Sequence, residues 1–210
     1  MMSISTSFLP LAGIMFGPVA GTLASAIGCF IGQLIAPATA VLGVWSFLIG
    51  TVNALVAGLY WERKNWFYVI GLSLLTIVLW LSTKIGRQAL IFPIMFHGTG
   101  LVAAIFSCIF GRKWLLSKNV ILKSVSIFTM SYSSIVIAAC FVNFLIVALY
   151  STPVITWKLL AFQAPVERVV FSAAGVVIGL PLMVALPKVG IMVGPRIEEP
   201  EEEAEEAQES

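Results

Sequence analysis

The sequence predicts an all-α, polytopic transmembrane helix bundle of about six spans followed by a short acidic, disordered C-terminal tail. Three observations predict it. Of the 210 residues, 60% are apolar and only 10% are charged, whereas soluble domains are roughly a quarter charged. Mean hydropathy is +1.03. The charges cluster between apolar runs close to the roughly 20 residues that a helix needs to cross a bilayer. A soluble chain of this size could not cover its surface with so few charged groups. Lipid solvates apolar surface, provided that the backbone satisfies its own hydrogen bonds in helices.

The spans read in order as 8–35, 40–61, 66–83, 89–111, 124–150 and 168–187. The first is long, and Pro10 and Pro18 interrupt it, so it is either one span or two broken pieces. Ala36-Pro37-Ala38-Thr39 separates the first two spans and Glu62-Arg63-Lys64-Asn65 the second and third. Lys84 to Gln88 and Gly111 to Asn119 form the next two breaks. The longest connection, 151–168, is partly polar and contains Pro153, Trp157, Lys158 and Pro165. It reads as a loop folded against the bundle, with Glu167-Arg168 capping the last span after Pro165. Trp61, Trp66, Trp114, Tyr150 and Trp157 fall at span ends, where amphipathic rings favour the headgroup region.

Charge sets the expected organisation. Eight of the ten acidic residues lie between Glu198 and Glu209, there is no Asp, and only Glu62 and Glu167 remain in the body. This divides the chain into a transmembrane domain, 1–190, and an acidic tail, 191–210, read as cytoplasmic. With six spans and the N-terminus inside, the inner segments hold Arg63, Lys64, Arg112, Lys113, Lys118, Lys123, Lys188 and Arg196. The outer segments hold Lys84, Arg87, Lys158 and Arg168, so the bias predicts both termini in the cytoplasm. The first apolar run has no basic region before it, which argues against a cleaved signal peptide. The basic excess sits in short loops between spans and so points to a membrane rather than to nucleic acid.

Gly13, Gly17, Gly21, Ser25, Gly28 and Gly32 recur at helical spacing in the first span, which would place them on one face. Such a stripe lets another helix approach closely. The partner helix is either in this chain, where Gly50, Ala54 and Gly58 repeat the device, or in another protein. His97, the single histidine, together with Asn53 and Asn143, lies within a span. Each is a candidate for an interhelical hydrogen bond or for a substrate contact, because polar groups at this depth are costly and often functional. Lys158 and Arg168, with Lys84 and Arg87, could ring one mouth of the bundle and suit an anionic solute.

The sequence carries no P-loop, no H-E-x-x-H, no G-x-S-x-G and no intramembrane carboxylate pair. Cys29, Cys108 and Cys140 lie singly in apolar runs and form no Cys/His cluster. We therefore expect neither an enzyme nor a metal or cofactor site. A proton- or sodium-driven carrier usually keeps a carboxylate in its spans, so transport by this chain would draw energy from a partner.

The run Phe8-Leu-Pro-Leu-Ala-Gly-Ile-Met-Phe-Gly-Pro-Val-Ala-Gly-Thr-Leu-Ala-Ser-Ala-Ile-Gly resembles the glycine–proline helix of the substrate-binding S components of energy-coupling factor (ECF) transporters. The resemblance continues through Val41 to Tyr60 and returns from Pro153 to Leu186. Between them, 66–150 is similar only in hydropathy. The resemblance implies a membrane subunit that captures a vitamin-type micronutrient outside and works with a transmembrane coupling protein and two cytoplasmic ATPases. Family members usually carry an Ala-x-x-x-Ala helix before the glycine–proline helix, and only seven residues precede Phe8 here. The expectation is therefore an S component whose start is truncated, without that helix, or one whose partner contact is made differently. Cys29 stands where many members have Asp in the glycine helix. The competing expectations are a self-sufficient secondary carrier and a membrane scaffold or assembly protein with no small-molecule ligand.

Overall fold

A computed structural model describes residues 4–40, 42–150 and 152–195. The described residues form helices and turns, with no strand among them. Helix α1 covers Leu9–Ile35, α2 Phe47–Leu59, α3 Trp66–Ser82 and the short α4 Lys84–Gln88. A π-helical turn at Pro93–His97 leads into α5, Gly98–Phe106, and a second at Ser107–Gly111 into α6, Arg112–Leu115. Helix α7 covers Val120–Leu149 and α8 Val154–Ala185. By length and composition, five helical segments are long and apolar enough to cross a membrane: Leu9–Ile35, Arg63–Ser82, Pro93–Leu115, Val120–Leu149 and Val154–Val189, the first of them broken at Gly17. The sixth expected span is a shorter apolar helix, Gly43–Leu59. The predicted tail from Arg196 onward lies outside the described residues.

Helix α7 is the hub, and its composition explains why. Ser126, Ser131, Ser133, Ser134, Ala138, Ala139 and Cys140 are all buried. Small side chains allow neighbouring backbones to approach closely where lipid provides no hydrophobic drive for helix association. Helices α1, α2, α3, α5, α6 and α8 all pack on it. The hydroxyls of Ser133 and Ser134 donate to carbonyls three residues back, at 3.1 and 3.0 Å, so they bring no unpaired polar group into the core.

The first helix is two pieces. Gly17 adopts φ 82° and ψ −176°, a left-handed φ that residues with a Cβ rarely take. A Cβ placed on Gly21 would lie 2.9 Å from Gly13 Cα, so residues 18–35 fold back beside 9–16. Helix α2 fills the angle between them. A Cβ on Gly13 would lie 2.7 Å from Gly58 N, and one on Gly58 would lie 2.5 Å from Pro18 Cα. One on Gly50 would lie 3.0 Å from Leu9 Cδ2 and 3.1 Å from Ser25 Oγ. Thus 9–16 runs parallel to α2 and 18–35 antiparallel. The break corrects the expectation of one glycine face: Gly21 faces Ala12 and Gly13 across a hairpin, whereas Gly13 faces Ala54 and Gly58 of α2. Gly28 and Gly32 meet no atom within 4 Å.

The hairpin's tip is capped by distant residues. In a continuous helix the carbonyl of Ile14 would accept from residue 18, but Pro18 has no N–H. The Trp61 indole N–H donates to it instead, at 2.8 Å, while its ring covers Gly17. The carbonyl of Met15 accepts from Gly194 N–H at 2.8 Å. These two carbonyls at the break are satisfied, as an apolar setting requires.

Helix α8 overturns the reading of 151–168 as a folded-back loop. It starts at Val154 and buries Trp157, Ala161, Ala164, Arg168, Ser172, Gly175 and Gly179. The steps of four, three, four, four, three and four keep this stripe on one helix face. Pro165 therefore lies inside the helix rather than at its start, and Trp157 is buried in the first turn of α8. Arg168 lies ten residues from Lys158, about 15 Å along the axis. It is buried in the bundle, whereas Lys158 is exposed, so they do not form a common ring at a mouth.

Candidate functional site

Near the end of the bundle where α7 stops at Leu149 and α8 starts at Val154, α3, α7, α8 and the first π turn bury one aromatic cluster. Trp80, Phe92, Phe96, Trp157, Val136 and Cys140 belong to it, each at most 3% exposed. Trp80 lies 4.8 Å from both Phe92 and Trp157, ring centre to ring centre, and Phe92 lies 5.2 Å from Phe96. These are edge-on and tilted contacts, of the kind that aromatic quadrupoles favour.

The π turn brings His97 into this cluster. Pro93 cannot donate, and the Gly98 N–H reaches back five residues to the Pro93 carbonyl. The wider turn carries Phe92, Phe96 and His97 inward together. Thr99 donates to the Phe96 carbonyl at 2.9 Å, and the Tyr132 hydroxyl donates to Thr99 at 2.9 Å, which ties the turn to α7. The His97 ring lies 5.9 Å from Trp80 and 5.8 Å from Phe92.

Arg168 enters from α8. Its guanidinium carbon lies 5.8 Å from the Phe96 ring centre and 6.0 Å from that of Phe171, both cation–π range. Its Nη1 forms an ion pair with Glu167 at 3.5 Å, beyond the length of a strong charge-assisted hydrogen bond. Arg168 Nε, both ring nitrogens of His97 and the indole nitrogen of Trp80 are buried without a hydrogen-bond partner in the protein. Buried polar groups are satisfied in the great majority of cases. Several unmet ones on neighbouring side chains make this cluster the candidate site.

Of the residues singled out from sequence, His97 and Arg168 meet here, both against Phe96. Asn143 is half-buried and lies one turn beyond Cys140, on the α7 face that carries Ile146 and Val147 toward the cluster. Asn53 is buried on α2, beside the separate core around Val56 and Ala57, and its side-chain oxygen finds no donor. Lys158 is exposed next to Trp157. In the glycine series, Gly13, Gly17, Gly21 and Ser25 are buried, whereas Gly28 and Gly32 are exposed. The sequence does not single out Trp80, Phe92 and Phe96, and it marks Trp157 only as a ring at a span end. The signal available was Phe92, Phe96 and His97 at near-helical spacing behind Pro93. Among the described residues, no group of three or more His, Cys, Asp or Glu side chains converges to hold a metal.

No family model, curated protein or solved structure matches the chain. The functional reading therefore rests on the geometry of this cluster.

Proposed function

We propose that the chain is the membrane-embedded, substrate-binding subunit of a micronutrient (vitamin-type) uptake transporter, energised by partner ATPases. The observation that carries this reading is the convergence of Arg168, His97 and Trp80, with unmet polar groups, in a buried aromatic cluster near one end of the bundle. Aromatic faces would stack a planar solute, and the guanidinium and indole N–H would hold a carboxylate or another anionic acceptor on it. The basic bias of the opposite end supports placing the cluster on the outer side and the described C-terminal segment on the inner side.

The chain carries no P-loop and no carboxylate in its apolar runs apart from Glu167, which supports dependence on a transmembrane coupling protein and cytoplasmic ATPases. Gly28 and Gly32 support the same division of labour, since their open face would let a partner helix approach. Mass spectrometry of small molecules that co-purify with the chain tests the reading. A planar acidic metabolite held by the wild type and lost in Arg168→Met is expected. Uptake by the chain alone in liposomes, or no bound small molecule under any growth condition, would sink it.

A further inference from the structure

At the other end of the bundle, a cavity of about 410 Å³ opens between the end of α2, the start of α3 and the second π turn with α6. Arg63, Arg112 and Lys113 line it, against one carboxylate, Glu62. Glu62 also pairs with exposed Lys64 at 3.1 Å, and three cations against one carboxylate give the lining a net positive charge. The remaining wall is apolar, with Leu59, Ile109 and Leu116, and Trp66 stands half-exposed at the edge. Ring contacts from Trp114 to Phe110 and Phe106, each 5.2 Å between centres, stiffen the α5–α6 side.

We propose that this cavity holds the phosphate headgroup of an anionic phospholipid, with the attached chain lying along its apolar wall. Guanidinium groups suit phosphate oxygens through paired N–H donors, and lysine adds a point charge. The two basic segments, 62–66 and 112–116, end apolar helices, which is the level at which headgroups lie. Basic pockets between spans at such a level are a recurrent means of holding acidic lipids. A freely soluble phosphate ester would share the cations but would leave Leu59, Ile109 and Leu116 without an apolar guest. The pocket is separate from the Arg168 cluster and has no residue in common with it.

The test uses the full chain in nanodiscs of phosphatidylglycerol or phosphatidylcholine, released and weighed by native mass spectrometry. The wild type should retain phosphatidylglycerol in preference to phosphatidylcholine. Replacing Arg63 and Lys113 together by Gln should lower that retention about 25-fold, about fivefold for each charge removed. Glu62→Gln, which removes the opposing charge, should raise it. Equal retention of the two lipids by the wild type overturns the proposal. So does unchanged retention in a double variant with wild-type circular dichroism, or a fall in retention in Glu62→Gln. Displacement of phosphatidylglycerol by stoichiometric glycerol 3-phosphate would also overturn the lipid assignment and leave a soluble phosphate ester as the guest.

Discussion

The guanidinium of Arg168 lies over the face of Phe96, 5.8 Å from its centre, while its carboxylate neighbour Glu167 is held at 3.5 Å. A buried charge held by a ring face and a long ion pair is poorly compensated for stability. On the proposed reading, a bound anionic solute offsets that cost. Arg168→Met fills the same space without charge, and the Glu167 side chain, 33% exposed, remains solvated. We expect thermal stability in detergent to stay equal or rise, and affinity for the co-purified solute to fall at least about tenfold, as for a lost hydrogen bond to a charged group. Arg168→Lys should not restore binding, because an ammonium does not reproduce the planar contact with Phe96. Full binding by Arg168→Met in equilibrium dialysis would remove the residue from the site.

Trp80 separates packing from recognition in the same cluster. Its ring is fully buried against Phe92 and Trp157, and its N–H has no partner. Trp80→Phe keeps an aromatic ring but removes the unmet donor, so stability should change by less than about 1.5 kcal/mol. Solute affinity should fall about five- to tenfold, the share of one neutral hydrogen bond. Trp80→Ala should instead lose about 3–5 kcal/mol of stability through the cavity left behind. Isothermal titration beside thermal melts distinguishes the two.

Most of the helical framework is legible in the sequence because apolar runs and charged breaks answer directly to bilayer thickness. The parts that are not legible depend on pairwise fit. Pro18 signals a break in the first span, but the reversal depends on φ at Gly17 and on α2 having Gly58 where Pro18 must pass. The start of α8 is obscured because Lys158, Gln163 and Pro165 weaken its hydropathy, although Trp157, Ala161, Ala164 and Arg168 already show the stripe. His97 and Arg168 stand out as ionisable residues in apolar surroundings. Their aromatic neighbours do not, since Trp and Phe are common in spans and only the fold decides which ones meet.

The glycine series should split in two under substitution. Gly13→Ala and Gly58→Ala place a methyl against backbone, 2.7 Å from Gly58 N and 2.5 Å from Pro18 Cα, and backbone cannot rotate away. Each should cost about 3 kcal/mol or more, the upper range for overpacking. Gly28→Ala and Gly32→Ala meet open space and add helix propensity, so they should be neutral or stabilising by up to about 1 kcal/mol. Thermal melts of the four variants give the comparison. Loss of ATPase-dependent uptake in Gly28→Leu with unchanged melting would assign the outer half of the series to a partner helix.

Trp61 should hold the hairpin closed. Its indole N–H satisfies the Ile14 carbonyl that Pro18 cannot, and its ring lies 3.0 Å from where a Gly17 Cβ would stand. Trp61→Phe keeps an apolar cover over Gly17 and leaves the carbonyl without that donor. The expected loss is about 1–3 kcal/mol, the cost of a buried acceptor left unmet. Because the same tip holds Met15 to Gly194, its opening should also release the chain after α8. Hydrogen exchange should therefore rise at Gly194 and across 9–16 together in this variant, while α7 keeps its protection. Faster exchange at Gly194 alone, with 9–16 unchanged, would show that Trp61 does not carry the cap.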